Sequence, residues 1–244
     1  MWLKITNNYS PNFSIPKRTN KKIKYVLIHY TGMKSEYTAM KRLCDETKKV
    51  SAHYFIKNSG EIINLVPDLY EAWHAGKSKW NNQNSLNKNS IGIEIHNPGH
   101  ANGYKNFSSK QINSLKFLLE KLITKYKIKL KNILGHSDVA PERKKDPGEK
   151  FPWKELASHN LAIWHTLNDS DLKKERQKKL NEKEEIKFIK NLCKIGYNYK
   201  KIEKSNFKLN KKIITKSFQR RFRQSLINGI PDKECFLISK NLLK

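Results

Sequence analysis

Tyr25-Val26-Leu27-Ile28 is an unbroken apolar run that leads straight into His29. Four apolar residues without alternation suit a strand buried on both faces, and such a strand needs a layer packed on each side of its sheet. A second segment, Ser90-Ile91-Gly92-Ile93-Glu94-Ile95-His96, alternates instead. Its three isoleucines share one face, and Gly92, Glu94 and His96 share the other. Strand-like and helix-like patterns alternate around these two segments, which predicts an α/β domain ending near residue 160.

The remaining elements follow from local signals. Ser35 to Lys49 is helix-like, with Met40, Leu43 and Cys44 on one side. Ala52–Ile56 and Glu61–Val66 flank Asn58-Ser59-Gly60 and read as a hairpin. Residues 77–89, rich in Asn, Ser and Lys, read as a surface loop. Ser108 to Tyr126 is the clearest helix: Ser108 and Gln111 form a capping box, and Ile112, Leu115, Leu119, Leu122 and Tyr126 make one stripe. Asn132–Gly135 is a short strand followed by a polar loop through Gly148. Residues 1–22 read as an irregular arm. Residues 168–185 are dense in charge and read as a linker or solvated helix start, and the pattern beyond them is helical throughout.

The chain has 244 residues and a formal net charge of +28. Such charge suits a polyanionic partner. The excess is mostly lysine, however, and comes with abundant Asn and Ile, as AT-rich coding produces. It is also spread evenly: residues 165–244 carry 22 basic and 9 acidic residues, with no compact basic block. No nucleic-acid partner is expected. No window approaches the ~20 apolar residues of a membrane span, and no signal peptide is visible at Met1-Trp2-Leu3-Lys4. Cys44, Cys193 and Cys235 lack metal-finger spacing and are expected to be small buried hydrophobes.

Candidate chemistry starts at His29. A histidine ending a buried strand is, alone, more often structural. His136 follows a strand in Gly135-His136-Ser137-Asp138, and Asp146 comes ten residues later, before Pro147-Gly148. Two histidines and a carboxylate suffice for a catalytic zinc with water in the fourth position. Glu94 lies opposite three isoleucines, and a carboxylate there needs a partner or a task such as general base catalysis. An ordinary solvent-facing glutamate is the plainer alternative. Lys144 has the charge to steady an oxyanion, though surface lysines are common here. Trp73-His74-Ala75-Gly76 suits either a substrate groove or a packed loop. His53 fits a supporting position behind the ligands or the core.

Five blocks occur in order: Val26-Leu27-Ile28-His29-Tyr30-Thr31, Ser51-Ala52-His53-Tyr54-Phe55-Ile56, Ala72-Trp73-His74-Ala75-Gly76, Ser90-Ile91-Gly92-Ile93-Glu94, and Gly135-His136-Ser137-Asp138-Val139-Ala140-Pro141, the last continuing as Arg143-Lys144-Lys145-Asp146-Pro147-Gly148. Together they resemble the AmpD-like N-acetylmuramoyl-L-alanine amidases, relatives of phage amidase lysozymes and animal peptidoglycan recognition proteins, over about residues 10–157. The resemblance implies a mixed sheet flanked by helices. It implies zinc on His29, His136 and Asp146, Glu94 as catalytic base, Lys144 as transition-state stabiliser, and Trp73, His74 and Ala75 along the substrate groove. A peptidoglycan-binding protein without catalysis is the rival, but such proteins typically lose a ligand.

Ile214-Thr215-Lys216-Ser217-Phe218-Gln219-Arg220-Arg221-Phe222 and Gly229-Ile230-Pro231-Asp232 resemble a peptidoglycan-binding helical domain. The implied organisation is an arm at 1–22, a catalytic domain at 23–160, a charged linker at 161–182 and an all-α bundle at 183–244. The expected protein is a monomer acting on peptidoglycan or muropeptides. The periplasm or envelope is favoured because a wall-binding module has little use elsewhere, with the cytoplasm as the alternative.

Overall fold

The computed structural model describes residues 4–198 and 204–244. Met1-Trp2-Leu3, which open the expected arm, lie outside the described residues, as do residues 199–203 of the expected bundle. The strands are β1 (Ile5–Asn7), β2 (Phe13–Ser14), β3 (Tyr25–Tyr30), β4 (Tyr54–Ile56), β5 (Ile62–Asn64), β6 (Glu71–Ala72), β7 (Lys79–Trp80), β8 (Gln83–Asn84), β9 (Ser90–Ile95) and β10 (Ile133–Gly135). The helices are α1 (Glu36–Cys44), α2 (Ser109–Tyr126), α3 (His136–Val139), α4 (Trp153–Ser158), α5 (Asp169–Glu175), α6 (Glu182–Ile195), α7 (Lys204–Phe222) and α8 (Lys233–Asn241).

Six strands form one sheet in the order β1-β5-β4-β9-β3-β10. Only the β4/β5 hairpin is antiparallel; the other neighbouring pairs are parallel, so the sheet is mixed. The two strands that opened the sequence argument lie side by side at its centre, and alternation sorts their residues between layers. Val26, Ile28, Ile91, Ile93 and Ile95 pack under the α2 stripe of Ile112, Leu115, Leu119 and Leu122. The expected capping box holds that helix start: Ser108 Oγ accepts from the Gln111 amide, and Gln111 Oε1 accepts from the Ser108 amide.

The opposite face is covered in two parts. Toward β4 and β5, Ala39 and Leu43 of α1 pack on Phe55, Ile63 and Leu65. Toward β10, Tyr25, Leu27, Leu134 and Val139 share a core with Phe188, Leu192, Phe218, Phe222 and Ile238 of the C-terminal helices. The open strip between these two covers holds His29 and Glu94.

Four expectations need correction. The N-terminal stretch is not irregular: β1 pairs with β5 at the sheet edge, and β2 pairs with β6. A three-residue edge strand such as Ile5-Thr6-Asn7 carries too little periodicity to be read before its partner is known. The segment expected as a charged linker, 161–182, is packed on the body: Leu161 and Ala162 enter the first core and Leu172 the second. Of the cysteines only Cys235 is buried; Cys44 is half-buried and Cys193 is exposed. Segment 77–89, expected as a loop, holds the β7/β8 hairpin, with Trp80 buried edge-on against Tyr197.

Candidate metal centre and its cavity

His29 comes from β3, and His136 and Asp146 come from the two ends of the loop after β10. Nδ1 of His29 lies 2.9 Å from Nδ1 of His136, and each lies 3.0 Å from Oδ2 of Asp146. All three side chains are buried, and among the described residues they form a cluster able to hold a metal ion.

The hydrogen bonds behind the two rings fix which nitrogen carries the proton. Nε2 of His136 lies 3.1 Å from the Ala75 carbonyl, which only accepts, so Nε2 bears the hydrogen and Nδ1 presents a lone pair to the cluster. The path behind His29 is longer. Ser90 Oγ donates to the Leu86 carbonyl at 2.6 Å, which leaves its oxygen to accept from Nε2 of His74 at 3.3 Å. Nδ1 of His74 then accepts from Nε2 of His29 at 3.1 Å, and Nδ1 of His29 also presents a lone pair. Two imidazole lone pairs and a carboxylate oxygen aimed at one point are a donor set for a divalent cation.

Electrostatics favour the same state. Burial, reinforced by the facing His136, pushes the His29 imidazole down to about 4. Burial, with its histidine neighbours, holds His74 well below the usual range. Burial would raise the Asp146 carboxyl, but the two histidines outweigh it and keep it ionised.

A cavity of about 570 Å³ opens on this cluster; His74, Glu94, His136, Lys144 and Asp146 contribute to its lining. Glu94 is the direct ladder partner of His29. Its Oε2 is buried and has no hydrogen-bond partner. Burial, with the Asp146 charge adding to it, pushes the Glu94 carboxyl up to about 8, against the opposing charge of Lys144. A carboxyl poised near neutrality beside a cation site is equipped to take and return a proton.

The structure therefore brings His136, Asp146, Glu94 and Lys144 together around one cavity, with His29 in contact with the first two. It redistributes the other expected residues. Trp73 and Ala75 do not line the cavity: the Trp73 indole donates to Ser14 Oγ at 2.8 Å, and Ala75 offers its carbonyl to His136. His74 reaches the cavity wall, but its ring nitrogens are taken by His29 and Ser90. His53 touches no ligand. Its ring sits edge-on to His74, with centroids 5.5 Å apart, and its Nδ1 accepts from the Gly92 amide. Gly92 is required by this stack, since a Cβ there would lie 2.4 Å from Cγ of His74.

Sequence reasoning missed Ser90, Arg143 and His100. Arg143 donates to the Ala75 and Lys77 carbonyls and so holds the loop that orients His136. His100 lines the cavity and bridges Tyr30 Oη and the Glu149 carboxylate. Their neighbourhood in the Gly135–Gly148 and Ser90–Glu94 blocks was the available signal for Arg143 and Ser90. Nothing local marks His100.

Comparison with known proteins places this geometry. The chain is similar to the N-acetylmuramoyl-L-alanine amidase AmiD of Escherichia coli K12, with 32% identity over 235 residues that span 91% of this chain and 83% of that protein. It is 39% identical over 105 residues to the 1,6-anhydro-N-acetylmuramyl-L-alanine amidase AmpD of Citrobacter freundii, a match spanning 43% of this chain and 54% of that one. The solved complex of E. coli AmiD with anhydro-N-acetylmuramic acid-L-Ala-D-gamma-Glu-L-Lys superposes with a TM-score of 0.80 at 31% identity, covering 91% of this chain and 89% of that chain. AMPDH3 from Pseudomonas aeruginosa superposes with a TM-score of 0.78 at 28% identity, covering 95% of each chain. Residues 19–149 match the family model described as N-acetylmuramoyl-L-alanine amidase, and the chain belongs to that family as an AmpD-like enzyme.

Proposed function

We propose that the protein hydrolyses the amide between N-acetylmuramic acid, or its anhydro form, and the L-alanine that begins the peptidoglycan stem peptide. The carrying observation is that Glu94, with an unpartnered carboxylate oxygen, opens on the same cavity as the His29, His136 and Asp146 cluster. The metal in this reading is zinc. Held by those three residues, zinc would supply Lewis acidity, lowering the pKa of water and polarising the lactyl carbonyl. Glu94 takes the proton from the attacking water and returns it to the L-alanine amine as the C–N bond breaks. Lys144, which also lines the cavity, sets its ammonium against the charge developing on the carbonyl oxygen. His74 and the Ala75 carbonyl hold the two imidazoles in the tautomer the site needs.

The substrate in the AmiD complex, an anhydro-muropeptide, supports this substrate class. Residues 23–160 are proposed as the catalytic domain, 161–182 as its connection and 183–244 as a peptidoglycan-binding surface. With such a surface the enzyme would accept intact as well as anhydro-sugar muropeptides, and its place would be the cell envelope. Among the described residues no helix is long and apolar enough to cross a membrane. The test uses zinc-loaded protein and defined muropeptides of both sugar forms, with products weighed by mass spectrometry. Release of free stem peptide from both supports the reading. Release from the anhydro form alone removes the broader substrate range, and intact muropeptides throughout overturn the enzyme assignment.

A further inference from the structure

Two of the three proposed metal ligands lie on one loop, between β10 and α4, and α7 grips that loop along its length. Ser217 Oγ donates to the Ser137 carbonyl at 2.6 Å, next to His136. Arg221 donates through Nη1 to Oδ2 of Asp138 at 2.6 Å and through Nη2 to the Ile133 carbonyl at 2.9 Å. Just past the helix, Gln224 donates to the Phe151 carbonyl at 2.7 Å. Ser217 and Arg221, four residues apart, lie on one face of α7, turned to the loop.

Asp138 is the point where these contacts meet. It is 1% exposed. Its Oδ2 also accepts from the Gly135 amide, and its Oδ1 accepts from Tyr197 Oη at 2.8 Å. The residue that bends the chain into His136 is thus held from outside the loop by two side chains more than fifty positions downstream. The guanidinium of Arg221 lies 4.2 Å from the Trp153 ring centroid, at the far end of the same loop. Within the loop the Ser137 amide donates to the Asp146 carbonyl at 2.8 Å, a bond that joins the neighbourhoods of the two ligands.

Anchoring the helices does not need this network, because Phe188, Phe218 and Phe222 already share an apolar core with the sheet. A buried Arg–Asp pair is also a poor source of net stability, since both ions lose their hydration. Its value lies in directional hydrogen bonds that select one loop conformation. We propose that the C-terminal helices are a clamp that sets the geometry of the metal centre, with Tyr197, Ser217 and Arg221 as positioning residues that act through Asp138 and the Ser137 peptide. This rests on the metal centre proposed above and gives the helices a role separate from wall binding.

The test measures zinc affinity by competition with a chromophoric chelator, alongside urea unfolding of the metal-free protein. The proteins are full-length wild type, Tyr197→Phe, Ser217→Ala, Arg221→Met and, as a control in the same helices, Asn191→Ala. Asn191 bonds Ser239 and not the loop. Tyr197→Phe keeps the ring and deletes only the hydroxyl, so it decides the matter should Arg221→Met not fold. The clamp predicts that Tyr197→Phe and Arg221→Met each lower zinc affinity about tenfold, the lower end of what supporting residues of metal ligands contribute. Asn191→Ala should bind as wild type whatever its stability. Wild-type affinity in Tyr197→Phe and Ser217→Ala, with only the urea midpoint lowered, would show the contacts to be simple attachment and overturn the clamp. Wild-type protein that takes up no zinc at all would remove the metal centre itself, and the clamp with it.

Discussion

His29 and Glu94 face each other as direct partners across two parallel strands, β3 and β9. One register step therefore places a proposed ligand and the proposed base on the same sheet face. Shifting either strand by one residue would turn its side chain into the α2 layer. The chemistry is built into the ladder, and the rest of the fold leaves that strip open.

Removing the base should separate binding from turnover. Glu94→Gln keeps the volume and the metal ligands, so zinc content should match wild type. Muropeptide cleavage should fall by roughly 10²–10⁴-fold, the usual contribution of a positioned general base. Metal analysis and initial rates on the same preparation check both halves, and a variant retaining wild-type rate would remove Glu94 from the mechanism.

The same residue predicts an unusual stability profile in the metal-free protein. The folded Glu94 carboxyl titrates at about 8 against an ordinary 4.5, chiefly through burial. Between those values the folded state holds a proton that the unfolded state has lost, so stability falls as pH rises through the window. Glu94→Gln removes that loss. It should gain on wild type by on the order of 1 kcal/mol per pH unit across the window. Urea unfolding at pH 5 and pH 8 reads the difference, and an equal difference at both values contradicts the assignment.

Acid should act on the histidines with the opposite sign. The His29 imidazole is pushed down to about 4 from 6.5 by burial first and by His136 second. The metal-free fold is thus fully favoured above about 6.5 and loses this contribution as pH falls toward 4. Protons also compete with metal for His29, so zinc should be retained on dialysis at neutral pH and released near pH 4. Zinc content unchanged at pH 4 would count against His29 as a ligand.

The path behind His29 gives a prediction outside the cavity. Ser90→Ala leaves Nε2 of His74 without its acceptor, and Gly92→Ala drives a Cβ into the His74 ring. Both should weaken zinc binding, by about 10–100-fold for loss of the hydrogen-bonded support. Gly92→Ala should also lower the unfolding midpoint, because the contact is with a packed ring. Chelator competition on both variants checks this, and unchanged affinity in Ser90→Ala would mean that His29 holds its tautomer without the relay.

The central sheet was legible because its signals are local. Tyr25–Ile28 shows a double-sided strand, Ser90–Ile95 a clean alternation, and Ser108 with Gln111 a helix start. The gathering of His29, Glu94, His136, Lys144 and Asp146 was also readable from the ordered blocks. The roles within the Trp73–Ala75 stretch were not. There the backbone carbonyl of Ala75 and the ring of His74 turn toward the ligands while the Trp73 indole turns away to Ser14, and residue type does not reveal those directions. Arg221 and Tyr197 were illegible for a different reason. Each looks like an ordinary member of a basic helical segment until the fold carries it 83 or 59 positions back to Asp138.

The core shared between the sheet and the C-terminal helices bears on how such enzymes are recombined. A chimera that grafts a different module after residue 160 would strip Tyr25, Leu27, Leu134 and Val139 of their cover and leave the Asp138 carboxylate without its cation. A workable exchange would have to carry the inner face of α7 across the junction, and only the outer faces of the bundle would be open to redesign.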